Sequence, residues 1–146
     1  MSEDKQTNRI LIADDNQPNC ELLEAYLEGV DCVIEFAEDG QQTIDKVASF
    51  KPDLILLDVM MPKLSGFEVC QKIKGDPGTQ KIMVLMVTAL NELGDIERAI
   101  EAGTDDFLSK PVNRAGLLMR VENMLQLKGV SDENERLRKY IESMES

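Results

Sequence analysis

At four points in this 146-residue chain, a polar reactive group follows directly on a short strand-like run. Ile10 to Ala13 runs into Asp14-Asp15, Leu54 to Leu57 into Asp58, Ile82 to Val87 into Thr88, and Asp106 to Ser109 into Lys110-Pro111. If these runs lie side by side in a parallel sheet, their carboxyl ends share one edge, the edge at which open α/β folds bind ligands. Three carboxylates, a hydroxyl and an ammonium then meet in one place. Carboxylates held close together repel, and a hard divalent cation relieves the repulsion. A site of oxygens without His or Cys suits Mg²⁺. A carboxylate is also a nucleophile toward phosphorus, and a metal, a lysine and a hydroxyl can neutralise the incoming phosphoryl oxygens. The set matches metal-assisted phosphoryl transfer onto an aspartate. Taken singly, each residue has a plainer reading. A strand-terminal Asp is most often a helix N-cap, and a lone Thr or Lys there is usually solvated. The coincidence of all of them in one register favours the functional reading for Asp15, Asp58 and Lys110, with Asp14 supporting its neighbour or acting through water.

The elements that would position these groups alternate along the chain. The pattern predicts strands at Ile10–Ala13, Cys32–Ala37, Leu54–Leu57, Ile82–Val87 and Asp106–Ser109. Between and after them it predicts helices at Glu21–Glu28, Gln42–Phe50, Ser65–Lys74, Ile96–Ala102 and Leu117–Leu127. Three of the strands are continuous apolar runs, as strands buried on both faces are. Five βα units with short connections imply a parallel sheet, right-handed crossovers and a three-layer α/β/α sandwich.

Composition narrows the function. Asp and Glu number 28 against 16 Lys and Arg, a formal net charge of −12, which leaves no electrostatic footprint for nucleic acid or for an anionic membrane surface. There is no histidine, so His bases, His metal ligands and phosphohistidine carriers are all excluded, and there is no tryptophan. Cys20, Cys32 and Cys70 are too widely spaced for a zinc or redox pair and read as reduced thiols of a cytoplasmic protein. Neither a targeting segment nor an apolar run of membrane-spanning length occurs. The first βα turn, Asp14-Asp15-Asn16-Gln17-Pro18, is acidic rather than glycine-rich, and no P-loop exists, so the site invites a cation and not a nucleotide.

ILIADDNQPN, LILLDVMMPKLSGFEVCQKIK, VTAL and GTDDFLSKP, in that order, resemble the receiver domain of two-component response regulators over roughly residues 8–128. The resemblance implies a flavodoxin-like (βα)5 fold with strand order 2-1-3-4-5. It implies that Asp58 is the phosphoacceptor, served by a histidine kinase or a histidine phosphotransfer protein. Mg²⁺ (or Mn²⁺) would be held by Asp15, Asp58 and the Met60 backbone carbonyl, with Asp14 in support. Lys110 would contact the phosphoryl group, Thr88 would be the switch hydroxyl, and Phe107 the aromatic that follows it. A cis Lys110–Pro111 bond is implied too, proline being the residue that readily permits one. Such a domain is a signalling module that assists its own phosphorylation and dephosphorylation, not an enzyme acting on a separate substrate. Met60 and Leu90 stand where other members often carry polar groups, so slow autodephosphorylation is expected. A Mg²⁺-dependent phosphatase with an Asp nucleophile is the competing enzyme reading. It usually has a second Asp two residues after the first, where this chain has Met60, and it needs a cap for which there is no room. A receiver-like scaffold that never takes phosphate is the other alternative, but this chain keeps both the acidic pair and the acceptor.

Residues 129–146 form a separate C-terminal helical tail or linker. Leu127, Val130, Asn134, Leu137, Ile141 and Met144 recur at alternating spacings of three and four, a heptad seam of under three repeats with one polar position. A solvated helix is as good a reading. Output is expected either by dimerisation, through this seam or the face of the fourth helix, fifth strand and fifth helix, or by docking on a partner. An output domain, fused or separate, is the other expected partner, the chain being either a single-domain regulator or a piece of a longer one.

Overall fold

A computed structural model describes residues 7–89 and 93–127, with the backbone alone at Thr88, Leu93 and Asp95. Strands β1 (Asn8–Ala13), β2 (Cys32–Ala37), β3 (Leu54–Leu57), β4 (Met83–Thr88) and β5 (Asp106–Ser109) alternate with helices α1 (Gln17–Tyr26), α2 (Gly40–Phe50), α3 (Gly66–Lys74), α4 (Leu93–Ala102) and α5 (114–127). The sheet order is β2-β1-β3-β4-β5, with every neighbouring pair parallel. This is the doubly wound, three-layer sandwich that the alternation predicts.

The apolar runs of β1, β3 and β4 occupy the sheet centre because both of their faces are covered. Leu11, Ile55, Val84 and Met86 pack on the α2, α3 and α4 side, and Ile10, Ile12, Leu54, Leu56, Leu85 and Val87 on the α1 and α5 side. The period of two in a strand divides the residues this way, so each central strand is apolar at every position of its buried stretch. β2 lies at an edge and is correspondingly less buried, with Val33 and Phe36 exposed.

Helix starts follow capping chemistry. The side chains of Asn16, Asp39 and Ser65 accept the backbone N–H groups of Asn19, Gln42 and Glu68 at the starts of α1, α2 and α3. α1 begins four residues earlier than the apolar pattern predicts and ends at Tyr26, ahead of Gly29. Pro18 lies in its first turn, where a missing N–H costs nothing. Leu22 is 44% exposed, while Leu23 and Leu27 carry the packing. α4 and α5 also start three residues before their predicted first residues. Asn16→Ala, which removes the α1 cap, is expected to lower unfolding stability by about 1 kcal/mol, read as a lower urea midpoint at unchanged slope.

The Lys110–Pro111 bond is cis, as the resemblance implies. No helix among the described residues is long and apolar enough to cross a membrane. Leu90 and the heptad seam beyond Leu127 lie outside the described residues.

Candidate functional site: an acidic cleft at the sheet edge

The ladder carries the site residues beyond the last strand positions. Asp58 N–H donates to the Ala13 carbonyl at 2.9 Å, and Asp14 N–H to the Ala37 carbonyl at 3.0 Å. The two backbones are therefore fixed as firmly as the strands, and their side chains are nearly buried, at 3% exposed for Asp14 and 7% for Asp58. Asp15, one residue on, is exposed. Each of the three carboxylates offers an oxygen within 4.8 Å of the others. At that spacing, and at an effective dielectric of about 20, each ionised pair repels by about 3 kcal/mol.

Lys110 answers part of that repulsion. Its Nζ donates to Asp14 Oδ2 at 3.1 Å and to Asp58 Oδ2 at 3.0 Å. Burial by itself would lower the lysine pKa, but the hydrogen bonds and charges of Asp58 and Asp14 outweigh it and hold the ammonium above its ordinary value. Burial pushes the Asp14 carboxyl up, against the Asn16 N–H and Lys110, which pull it down. Asn16 N–H reaches Asp14 Oδ1 at 2.9 Å, and Met60 N–H reaches Asp58 Oδ1 at 3.1 Å. One ammonium against three carboxylates leaves two net negative charges when all are ionised. The groups open into a cleft of about 620 Å³, which Met60, Ser65 and Ala89 also line.

The structure thus brings Asp14, Asp15, Asp58 and Lys110 together. Thr88 ends β4 opposite Ser109, with its backbone at the same edge and its side chain outside what is described. Phe107 pairs with Met86 in β5 and packs, half-buried, against the core on the α2–α4 side. Met60 is 64% exposed at the cleft mouth. Cys20 also lies at the site, its thiol 3.4 Å from the Asp14 carbonyl oxygen, to which it donates. Burial pushes that thiol up to about 11, so it stays protonated and offers no thiolate to a metal.

Sequence reasoning passes over two residues here. Asn16 both caps α1 and donates its N–H to Asp14, an Asx-turn legible in the two-residue spacing. Gly66 opens α3, and a Cβ on it would lie 2.5 Å from the Asp58 carbonyl oxygen and 2.7 Å from Val59 Cα. Its N–H donates to the Val59 carbonyl at 2.9 Å. Only a glycine lets the helix start this close to the acceptor strand.

Comparison with known proteins gives one consistent answer. The family model described as the response regulator receiver domain matches residues 10–122. The response regulator PleD of Caulobacter vibrioides is 44% identical over 125 residues, 86% of this chain and 28% of that protein. The DNA-binding dual master transcriptional regulator RpaA of Synechocystis is 39% identical over 118 residues, 81% of this chain and 49% of that protein. This chain therefore spans half or less of these curated relatives. Among solved structures, a CheY-like response regulator receiver domain protein from Methanospirillum hungatei superposes with a TM-score of 0.78 at 28% identity. The match covers 86% of this chain and 99% of the other.

Proposed function

Because the chain belongs to the response regulator receiver family of two-component signalling, we propose that Asp58 accepts a phosphoryl group from a histidine kinase or histidine phosphotransfer protein. One observation carries this reading. A nearly buried carboxylate shares a single lysine with a second carboxylate, inside a three-carboxylate oxygen cluster that opens to a cleft. In the transfer, an Asp58 oxygen attacks phosphorus and an O–P bond forms as the donor's P–N bond breaks. The electron pair leaves on the imidazole nitrogen, which takes up a proton from solvent. With a small acyl phosphate, the leaving group is the carboxylate.

The donor set fits Mg²⁺ or Mn²⁺, being all oxygen with its neighbouring thiol protonated. Asp15, Asp58 and the Met60 carbonyl would hold the ion, with Asp14 in support. When bound, the cation supplies positive charge against the clustered carboxylates and the phosphoryl oxygens. Lys110 stands at the edge of the acceptor carboxylate, where phosphoryl oxygens can be met by its ammonium. Thr88 turns its hydroxyl toward the new acceptor oxygens, Phe107 follows, and the surface of α4, β5 and α5 changes. Output runs through self-association on that face or along the tail, or through a docked or fused output domain in the cytoplasm. Residues 8–128 are the receiver unit, and 129–146 the linker.

Incubation with acetyl phosphate and Mg²⁺, followed by intact mass, tests the reading. One phosphoryl increment that hydroxylamine removes is expected, and none without Mg²⁺. Lys110→Ala is expected to slow the initial uptake by about two orders of magnitude, since it removes the ammonium held against the acceptor oxygen. Uptake at the wild-type rate would remove Lys110 from the mechanism. Apolar Met60 at the cleft mouth leaves the attacking water unoriented, so the phosphorylated form decays slowly. Met60→Asn is expected to speed that decay by about tenfold, through an amide that can position the water. An unchanged half-life would sink the idea.

A further inference from the structure

The loop that carries Met60 is fastened at both ends, and one fastening comes from outside β3 and α3. On one side, the Gly66 N–H holds the Val59 carbonyl at 2.9 Å. On the other, the start of α2 grips the turn Pro62-Lys63-Leu64. Gly40 N–H donates to the Pro62 carbonyl at 3.3 Å, and Lys63 Nζ lies 3.5 Å from Asp39 Oδ2. A Cβ on Gly40 would meet both Leu64 Cβ and the Leu64 carbonyl oxygen at 2.4 Å. Lys63 itself has φ +70°, a conformation ordinary side chains adopt only when their surroundings impose it. Asp39 is 8% exposed and divides its oxygens, Oδ1 accepting the Gln42 N–H at 2.8 Å as the helix cap and Oδ2 facing Lys63. Met60 and Met61 span the gap between the two anchors, and the Met60 N–H holds Asp58 Oδ1.

We propose that the start of α2, through Asp39 and Gly40, is a positioning device for the phosphoacceptor loop. It sets where the Met60 backbone stands against Asp58, and with it the affinity of the site for its cation. This rests on the phosphoacceptor reading above. Groups that hold a ligand's neighbour in place commonly tune metal affinity as strongly as they tune anything else. The Lys63–Asp39 pair is exposed at its lysine end, and a pair of that kind contributes little to stability. Its effect is therefore to be sought in loop placement and not in unfolding.

The test measures initial phosphoryl uptake from acetyl phosphate as a function of Mg²⁺ concentration, for wild type, Gly40→Ala, Asp39→Asn, Lys63→Met and the Asp39→Asn/Lys63→Met double variant. Asparagine keeps the capping oxygen and loses only the charge. Gly40→Ala is expected to raise the Mg²⁺ concentration for half-maximal rate by about tenfold. The two milder single variants should raise it in the same direction, and the double variant no further than the worse of them. A purely structural role would lower the urea midpoint and leave the half-maximal concentration where it was. If Gly40→Ala fails to fold, the other variants decide. Wild-type Mg²⁺ dependence in every folded variant overturns the positioning role alone. A wild-type chain that takes up no phosphoryl group overturns the phosphoacceptor reading, and this proposal with it.

Discussion

Asp58→Asn is expected to abolish phosphoryl uptake while leaving the fold intact. Asparagine has the shape of aspartate and its one amide oxygen can still accept the Met60 N–H, but its NH2 then replaces the oxygen that accepts from Lys110, and the amide has no carboxylate oxygen to attack phosphorus. The substitution also removes one of three clustered negative charges, taking the site from two net negative charges toward one. The two repulsions it relieves offset the one Lys110 contact it loses, so the variant chelated free of metal should melt close to wild type. Mg²⁺ affinity should fall at the same time, and with it the stabilisation that bound Mg²⁺ gives the wild type. Intact mass after acetyl phosphate treatment, with melting curves in EDTA and in Mg²⁺, reads all of this at once. Phosphoryl uptake persisting in the variant, in a form stable to hydroxylamine, would move the acceptor to a hydroxyl such as that of Ser65, which lines the cleft.

Gly66→Ala is the structural counterpart, expected to be damaging because the added methyl meets the acceptor strand itself. The added carbon would sit 2.5 Å from the Asp58 carbonyl oxygen and 2.7 Å from Val59 Cα, both backbone atoms with no rotamer to yield. Either α3 or the end of β3 must move. Overpacking of this kind costs about 1–3 kcal/mol, and an immovable neighbour places it at the upper end. Gly29→Ala is the control: nothing lies within 4 Å of its Cβ position, so its stability should stay within about 0.5 kcal/mol of wild type. Urea unfolding checks both, and phosphoryl uptake at saturating Mg²⁺ shows whether the displaced strand end has carried Asp58 with it. Equal midpoints for the two variants would mean that the close approach is not held in solution.

Several elements are legible in the residues themselves because their causes are local or periodic. Leu54–Leu57 reads as a buried strand since four successive apolar residues can all be satisfied only where both faces are covered, and the strand has those bounds. Asp106–Ser109 is equally plain, and β5 has the same limits. The start of α1 is not, because Asn16 and Pro18 serve a turn as well as a helix. The exposure of Leu22 is not legible either: Leu23 and Leu27 take the buried positions, and Leu22 beside them is left outside.

The sequence alone determines the fold class and the edge on which the polar groups gather, since alternation, strand length and residue type suffice for those. Tertiary structure alone decides that one lysine bridges Asp14 and Asp58, partners 96 and 52 residues away. It also decides that Gly66 abuts the acceptor strand and that α2 grips the loop beyond Asp58. Those contacts join segments brought together only by folding, and their distances follow from how helices settle on a twisted sheet, which no local pattern encodes.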